Sequence, residues 1–312
     1  MIDYTKRVRL VAAADAALAL LVSLGLILSP TSSGSKESRR DLLDDASAVT
    51  SIRISGGEPV ELVKTGTGWE AVDGDAWLPV DSSRVAAFLK AVDSIERAEL
   101  VAEDASSQPA LGLGAGARKV TLLGEGGKEL CAFALGSYAS SPGTVYISIG
   151  DGPESYAVAS GMASYALGRR SSWLDLRAWS SPPTPDDVEE VLLRGSLDGA
   201  GGTAVSLDYT IARSGKGWMS GGEALDAMKV DAMIRAIAAL RGDDYADADE
   251  PAGNAVVELE LRLGNGRTLN LAVEPVRADG RYPARSSQRE RGMYLPAWSL
   301  TEALKPIGEL RP

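Results

Sequence analysis

The sequence predicts an α+β protein: two tandem copies of a β-β-α-β-β-β-β-α module with antiparallel sheets, preceded by one N-terminal transmembrane helix. Three observations support this prediction. The two halves of the chain align with each other, strand-like runs are joined by short glycine turns, and a long apolar run opens the chain. Short turns favour antiparallel pairing, with the helices on one face of each sheet.

The apolar run covers residues 10–29 and is predicted to be a transmembrane anchor or an uncleaved signal. The 19 mostly apolar positions at 10–28, at about 1.5 Å each, give a helix of roughly 28 Å, close to the roughly 30 Å hydrocarbon thickness. Basic residues precede the run, so residues 1–9 are predicted to be cytoplasmic and the body extracytoplasmic. A cleaved signal peptide is the alternative, and it exports the body equally. Residues 30–45 are predicted to form a linker.

The two repeats are assigned to residues 46–179 and 187–312, with a Pro-rich connector at 180–186 because prolines prevent a helix from continuing. Each repeat opens with a strand pair that ends on a Gly-Trp step, at Trp69 and Trp218. We expect these tryptophans to pack onto the following helix. If exposed, they could instead be platforms on which sugars stack.

One amphipathic helix follows the opening strands of each repeat. Apolar residues recur there at spacings of three and four, which places them on one helical face. The residues predicted to face the core are Val85, Phe88, Leu89, Val92 and Ile95 in the first repeat, and Val230, Met233, Ile234, Ile237 and Leu240 in the second.

A β-hairpin comes next in each repeat, with its turn at Gly126-Gly127 or at Asn265-Gly266, where tight turns need positive φ. A further strand pair and a short helix complete the module. Glycines at 112, 114 and 116 precede the first hairpin, but their spacing fits no phosphate-binding motif, so they indicate a loop that enters a strand.

Composition excludes several classes of function. The net charge of −11 argues against nucleic-acid binding, which needs a basic surface. Because histidine is absent and Cys131 is the only cysteine, the chain cannot build a Cys/His zinc site or a Ser-His or Cys-His catalytic pair. Cys131 lies in an apolar run and is expected to be a buried core residue. The sequence indicates no catalytic residues, no metal site and no cofactor.

Two charged clusters are candidate sites. The acidic residues at 243, 244, 247, 249 and 250 could bind a hard cation or form a flexible acidic loop, and their spacing fits no EF-hand. Five arginines, called here the arginine set, stand in an otherwise acidic body, where they could contact a partner or an anion or form a solvated loop. The arginine set consists of Arg277, Arg281, Arg285, Arg289 and Arg291.

The order of elements, the turn ending in Gly68-Trp69 and the Leu111-Gly112-Leu113 step resemble the domain of unknown function 4340 family. The resemblance is close over residues 45–179 and looser in the second repeat. Members look like N-terminally anchored extracytoplasmic proteins, often associated with ABC-transporter components of the gliding-motility type. The resemblance therefore implies an accessory role in the cytoplasmic membrane, beside a transporter permease and ATPase, and supplies no catalytic residues.

Three functions remain open from the sequence. The leading hypothesis is a non-enzymatic, membrane-anchored accessory subunit of an ABC-type transport or gliding-motility-like system that acts through protein contacts. The second is a module that binds envelope glycan or another ligand, which predicts exposed tryptophans in a groove. The third is a carboxylate-based hydrolase, which needs two carboxylates close together in a cleft.

Overall fold

The structure, a computed structural model, describes residues 37–38, 42–95, 98–198, 204–215, 217–247 and 253–312. The predicted cytoplasmic N-terminus, the predicted transmembrane helix and most of the predicted linker lie outside these residues. Within the described part of the chain, no helix is both long enough and apolar enough to span a bilayer.

The chain divides into two compact units. The first contains the described residues up to 77 together with those of 82–168, and the second contains the described residues of 78–81 and 169–312. The boundary at 168/169 precedes the predicted connector because residues 169–179 pack with the second repeat. Trp179, for example, is fully buried in the second core, where its indole Nε1 donates to the Ile237 carbonyl at 2.7 Å.

The first sheet has ten antiparallel strands in the order β1-β6-β10-β9-β8-β7-β2-β3-β4-β5. Two α-helices, α1 (Ser82–Asp93) and α2 (Ala163–Ala166), belong to the first repeat. The strands are β1 (Glu37–Ser38), β2 (Ser51–Ser55), β3 (Val60–Thr65), β4 (Gly68–Asp73), β5 (Ala76–Pro79), β6 (Ala98–Ala102), β7 (Arg118–Leu123), β8 (Glu129–Tyr138), β9 (Thr144–Ile149) and β10 (Ser155–Ala159).

The second sheet runs β15-β14-β13-β11-β17-β18-β19-β20-β16, and β12 pairs with β11 beside this path. Its helices are α3 (Ala227–Ala238) and α4 (Ala297–Ala303). The strands are β11 (Val188–Asp198), β12 (Ala204–Ser206), β13 (Tyr209–Ser214), β14 (Gly217–Ser220), β15 (Glu223–Leu225), β16 (Asp244–Tyr245), β17 (Val257–Leu263), β18 (Thr268–Val273), β19 (Arg281–Ser286) and β20 (Met293–Pro296).

The two sheets have the same strand order once β1 and β12 are set aside, which agrees with a duplicated module and with the predicted α+β class. The predicted element order is wrong in detail, however. Four strands rather than two precede the long helix of the first repeat, and five rather than four follow it. The Gly-Trp step starts a new strand instead of closing a pair, because Trp69 pairs with Lys64 and Trp218 with Arg213 on the preceding strands.

The predicted helix faces are confirmed. All ten apolar residues assigned to the core side of α1 and α3, or to the residues just after them, are buried. The helix α3 begins at a true cap, because the Asp226 carboxylate accepts from the Met228 and Lys229 amides. The predicted hairpins β7–β8 and β17–β18 are also present, with positive φ at Gly126, Gly127 and Gly266.

Each repeat has a glycine at the same position, where its first strand comes close to a neighbouring segment of backbone. Gly56 and Gly195 have φ of 76° and 102°. A Cβ at Gly56 would lie 2.0 Å from the Ala117 carbonyl oxygen, and a Cβ at Gly195 would lie 1.9 Å from that of Val256. Both positions thus need glycine for backbone conformation and for close approach, and the repeats share this constraint.

Candidate functional site

The arginine set lies in the second unit, on β19 and the loops that flank it. Arg289 is the least exposed of the three arginines in the set with described ion pairs, with 11% of its side chain accessible. Its guanidinium donates to the Asp175 carboxylate at 2.9 Å and to the Arg177 carbonyl at 2.8 Å. Arg177 also donates to Asp175, from Nε at 2.7 Å and from Nη2 at 2.9 Å.

Asp175 is therefore a buried carboxylate held by two guanidinium groups. Burial by itself would raise its pKa, but hydrogen bonds and charge from Arg177 and Arg289 lower the pKa to about 2. The Tyr245 hydroxyl donates to the Asp175 carbonyl at 2.8 Å and ties the same segment to β16. Arg289 thus stabilises the second unit from within.

Two other members of the set flank Tyr294. The guanidinium carbons of Arg277 and Arg281 lie 5.0 and 4.4 Å from the centre of its ring, which is the geometry of a cation–π contact. Arg281 also binds Asp279 at 2.7 Å and Asp243 at 3.5 Å. Arg281 is therefore neutralised by nearby carboxylates and is poorly placed to attract an external anion.

The last two members also have partners inside the unit. Arg285 faces the buried carboxylate of Glu274 at 3.4 Å, and Arg291 donates to the Ala246 carbonyl at 2.9 Å. The structure thus distributes the set over several internal contacts, although all five arginines belong to one unit. As a site for a partner or an anion, the set stays a prediction.

An apolar groove lies beside the Asp243 end of this network. Its volume is about 470 Å³, and it runs between the C-terminal end of α3 and the start of α4. The wall and floor are mainly apolar and are contributed by Ala236, Ala239, Leu240, Pro296 and Trp298. We call this feature the Trp298 groove.

Trp298 is the most exposed tryptophan among the described residues, with 72% of its surface accessible. It stands in the first turn of α4, directly after Pro296 and Ala297. The helix is held from its other side, because Leu300 and Ala303 are fully buried in the second core. The exposed indole is consequently carried on a fixed backbone.

Polar groups at the rim of the groove are Arg241, Asp243 and Glu302. Arg241 donates to the Leu174 carbonyl at 3.0 Å, and Asp243 pairs with Arg281. Glu302 lies 3.7 Å from Lys305 and is largely exposed. The rim is therefore mildly acidic, and all three of its charges have partners within the unit, with Glu302 the most exposed.

The tryptophans predicted as packing or stacking residues differ from Trp298. Trp218 is buried, and its indole donates to the Asp231 carboxylate on α3 at 2.9 Å, which confirms packing onto the helix. Trp69 is half-buried. Sequence reasoning missed Trp298. Only an alignment of the two repeats would have drawn attention to it, because Gly161 occupies the aligned position in the first repeat.

Other predicted features are placed as follows. Cys131 is buried, as expected, and burial together with the charge of Glu129 raises the pKa of its thiol to about 11. Of the acidic candidate residues, Asp243 lies just before β16 and Asp244 is its first residue. Residues 249 and 250 lie outside the described part of the chain. Among the residues that are described, no three Cys, Asp or Glu side chains are grouped to hold a metal ion.

The chain is thus a duplicated α+β protein whose second unit carries the Trp298 groove. A family model matches residues 46–256, about two thirds of the chain. The chain therefore belongs to the DUF4340 family, described as a domain of unknown function. Searches of curated proteins and of solved structures found no match.

Proposed function

We propose that the protein is a non-enzymatic, extracytoplasmic accessory subunit, anchored in the cytoplasmic membrane by residues 10–29, that binds an ABC-type transporter. We expect the protein to assemble with the permease and the ATPase of that transporter. Within this assembly, it contacts an extracytoplasmic segment of the permease. The Trp298 groove is the proposed contact surface.

The observation that carries this proposal is the exposure of Trp298 beside an apolar groove on a rigid helix. Exposed apolar patches of this kind mark interaction surfaces, and tryptophan is among the residues that dominate binding energy at protein interfaces. A preformed groove also spares the complex the entropy of ordering a flexible surface.

The lining favours a protein side chain over a sugar. Sugar hydroxyls need hydrogen-bond partners around an aromatic platform, but the walls here are mostly alanine, leucine and proline. The three rim charges already have partners within the unit. An apolar side chain beside a basic residue complements this groove, since Glu302 at its rim is exposed.

Glycan binding remains the second candidate function, because an exposed tryptophan in a groove is the feature that a stacking site requires. In that case the same indole would hold the sugar ring, and Glu302 would accept from a hydroxyl. The two candidates share a surface and differ in their partner.

The test is co-purification of the tagged full chain from native membranes in mild detergent. The wild type should recover a permease and an ATPase, and Trp298→Ala should lose them, because truncating an interface tryptophan costs about 2 kcal/mol or more. Trp77→Ala, which removes an indole that is 53% exposed in the first unit, is the matched control and should retain both.

Recovery of the same subunits by wild type and Trp298→Ala would remove the groove from the proposal. Recovery of no transporter subunit, combined with Trp298-dependent retention on immobilised envelope glycan, would replace the accessory function by glycan binding. Release of the full chain from membranes by high salt alone would contradict the anchor, since a spanning helix is not held by charge.

A further inference from the structure

The first unit has a cleft of its own beneath the loop at residues 105–115, with a volume of about 710 Å³. The floor is the outer face of β7, β8 and β9, opposite the face that carries the core. Small side chains form this floor, which leaves room under the loop. They are Thr121, Ala132, Ala134 and Ser148, with Gly150 at the end.

The roof of the cleft is fixed at both ends. At one end the Gln108 amide donates to the carbonyls of Gly152 and Pro153 at 3.0 and 3.3 Å. At the other end Leu113 packs in a small cluster with Ala134. A Cβ at Gly136 would lie 2.3 Å from a carbonyl oxygen of the loop, so loop and strand are in close contact there. The cleft is thus preformed.

Charges of opposite sign stand at the two ends of the cleft. Lys119 of β7 lies opposite Ala134 of β8, whereas Glu129 is the first residue of β8. Asp151 follows Gly150 toward the Glu129 end, since the Gly150 amide donates to the Ala132 carbonyl at 2.8 Å. The two ends, marked by Ala134 and Glu129, are five residues apart along β8, which corresponds to roughly 17 Å.

The cation at one end is available to a ligand. Lys119 is exposed and makes no ion pair with any residue that the structure describes. In the second unit, the outward-facing positions of the corresponding strand carry Glu258 and Glu260, and Arg194 also lines the groove there. The two repeats therefore differ in charge at the position of Lys119, which Glu258 occupies in the second.

The geometry points to a peptide-binding site in this cleft that takes an extended chain of about five residues, which matches its length at about 3.4 Å per residue. The free C-terminal carboxylate of the peptide lies toward Lys119, and its amino end lies toward Glu129 and Asp151. The hydroxyls of Thr121 and Ser148 offer hydrogen bonds to the peptide backbone between the two ends.

Isothermal titration of the full-length protein in mild detergent tests this site, with penta-alanine as the probe. Penta-alanine with free termini should bind saturably. Lys119→Ala should weaken its binding about fivefold, the effect of one exposed ion pair, and should not change the weaker binding of penta-alanine amide. Lys64→Ala, which removes an exposed lysine from β3, is the control.

A second variant tests the cleft without touching charge. Ala132→Leu fills the floor and should abolish binding, whereas Ala272→Leu, at a similar outward position of β18, should not. Circular dichroism verifies that both variants fold. Trp298→Ala should leave the titration unchanged, so this site can fail without affecting the proposed transporter contact.

Absence of saturable binding up to about 10 mM penta-alanine would overturn the proposal, because specific peptide sites bind more tightly than that. Binding that survives Ala132→Leu in a folded protein would overturn it as well. Equal affinity for the free and the amidated peptide in the wild type would contradict the assigned role of Lys119.

Discussion

Replacing Asp175 by asparagine tests whether Arg289 is a structural residue of the second unit rather than a free contact for a partner. The substitution keeps the shape of the side chain and removes its charge. Arg289, only 11% exposed, then loses its ionic partner and retains its hydrogen bond to the Arg177 carbonyl. A buried guanidinium without a counter-charge is unfavourable.

The magnitude follows from the pKa of Asp175. Burial raises this pKa, but the two arginines bring it from an ordinary 3.8 to about 2. At about 1.36 kcal/mol per pKa unit, the charged form gains about 2.4 kcal/mol in the folded state. Because Arg177 is 53% exposed, solvent screens its share. We therefore expect Asp175→Asn to lower the free energy of unfolding by about 1.5–2.5 kcal/mol at pH 7.

Tryptophan fluorescence in urea is a suitable assay, because Trp173, Trp179 and Trp218 are all buried in the second unit. Glu189→Gln, at an exposed position of β11, is the control for loss of one negative charge. The pH dependence supplies a second signature. Since the folded pKa of Asp175 is depressed, its contribution is complete above about pH 4 and is lost as the pH falls toward 2.

The difference between wild type and Asp175→Asn should therefore shrink from pH 5 to pH 2. A variant as stable as the wild type at pH 7 would refute the reasoning, as would a difference that grows on acidification. In either case Arg289 would again be available as a candidate partner contact.

Three other predictions concern local packing. Trp218→Phe removes the hydrogen bond to Asp231 and should lower the free energy of unfolding by about 1 kcal/mol in urea unfolding. The Cys131 thiol, with its pKa raised to about 11, should not react with a thiol reagent at pH 8 until the protein is unfolded. Gly195→Ala places a Cβ against the Val256 carbonyl at positive φ and should lower the melting temperature strongly, at a cost of about 3 kcal/mol.

Each of these has a clear contrary result. Unchanged urea stability of Trp218→Phe would mean that the indole hydrogen bond contributes nothing. Rapid labelling of Cys131 in the folded protein would contradict its burial. A Gly195→Ala protein with the same melting temperature as the wild type would contradict the close approach of β11 and β17.

The helices and hairpins could be predicted because their signals are local. Apolar spacing fixed the buried faces of α1 and α3, and Gly126-Gly127 marked a turn. The short strands β5 and β15 could not be predicted in the same way. They are defined by pairing with a neighbouring strand, and three or four residues are too few to show a period.

The candidate site was less accessible to sequence reasoning. The arginine set stood out in the sequence, but Arg289 pairs with Asp175 at a separation of 114 residues, which no local pattern reveals. Exposure of Trp298 was missed for a related reason. Whether an aromatic residue at the start of a helix is buried or exposed depends on the opposite face of that helix, here Leu300 and Ala303.

The most direct test of the proposed function is to place a photo-crosslinking phenylalanine derivative at the position of Trp298 in the full chain and irradiate native membranes. The account predicts a covalent adduct with a transporter permease, and no such adduct from the same group at the position of Trp77. A permease adduct from position 77 alone, or from neither position, would contradict the claim that the Trp298 groove is the partner contact.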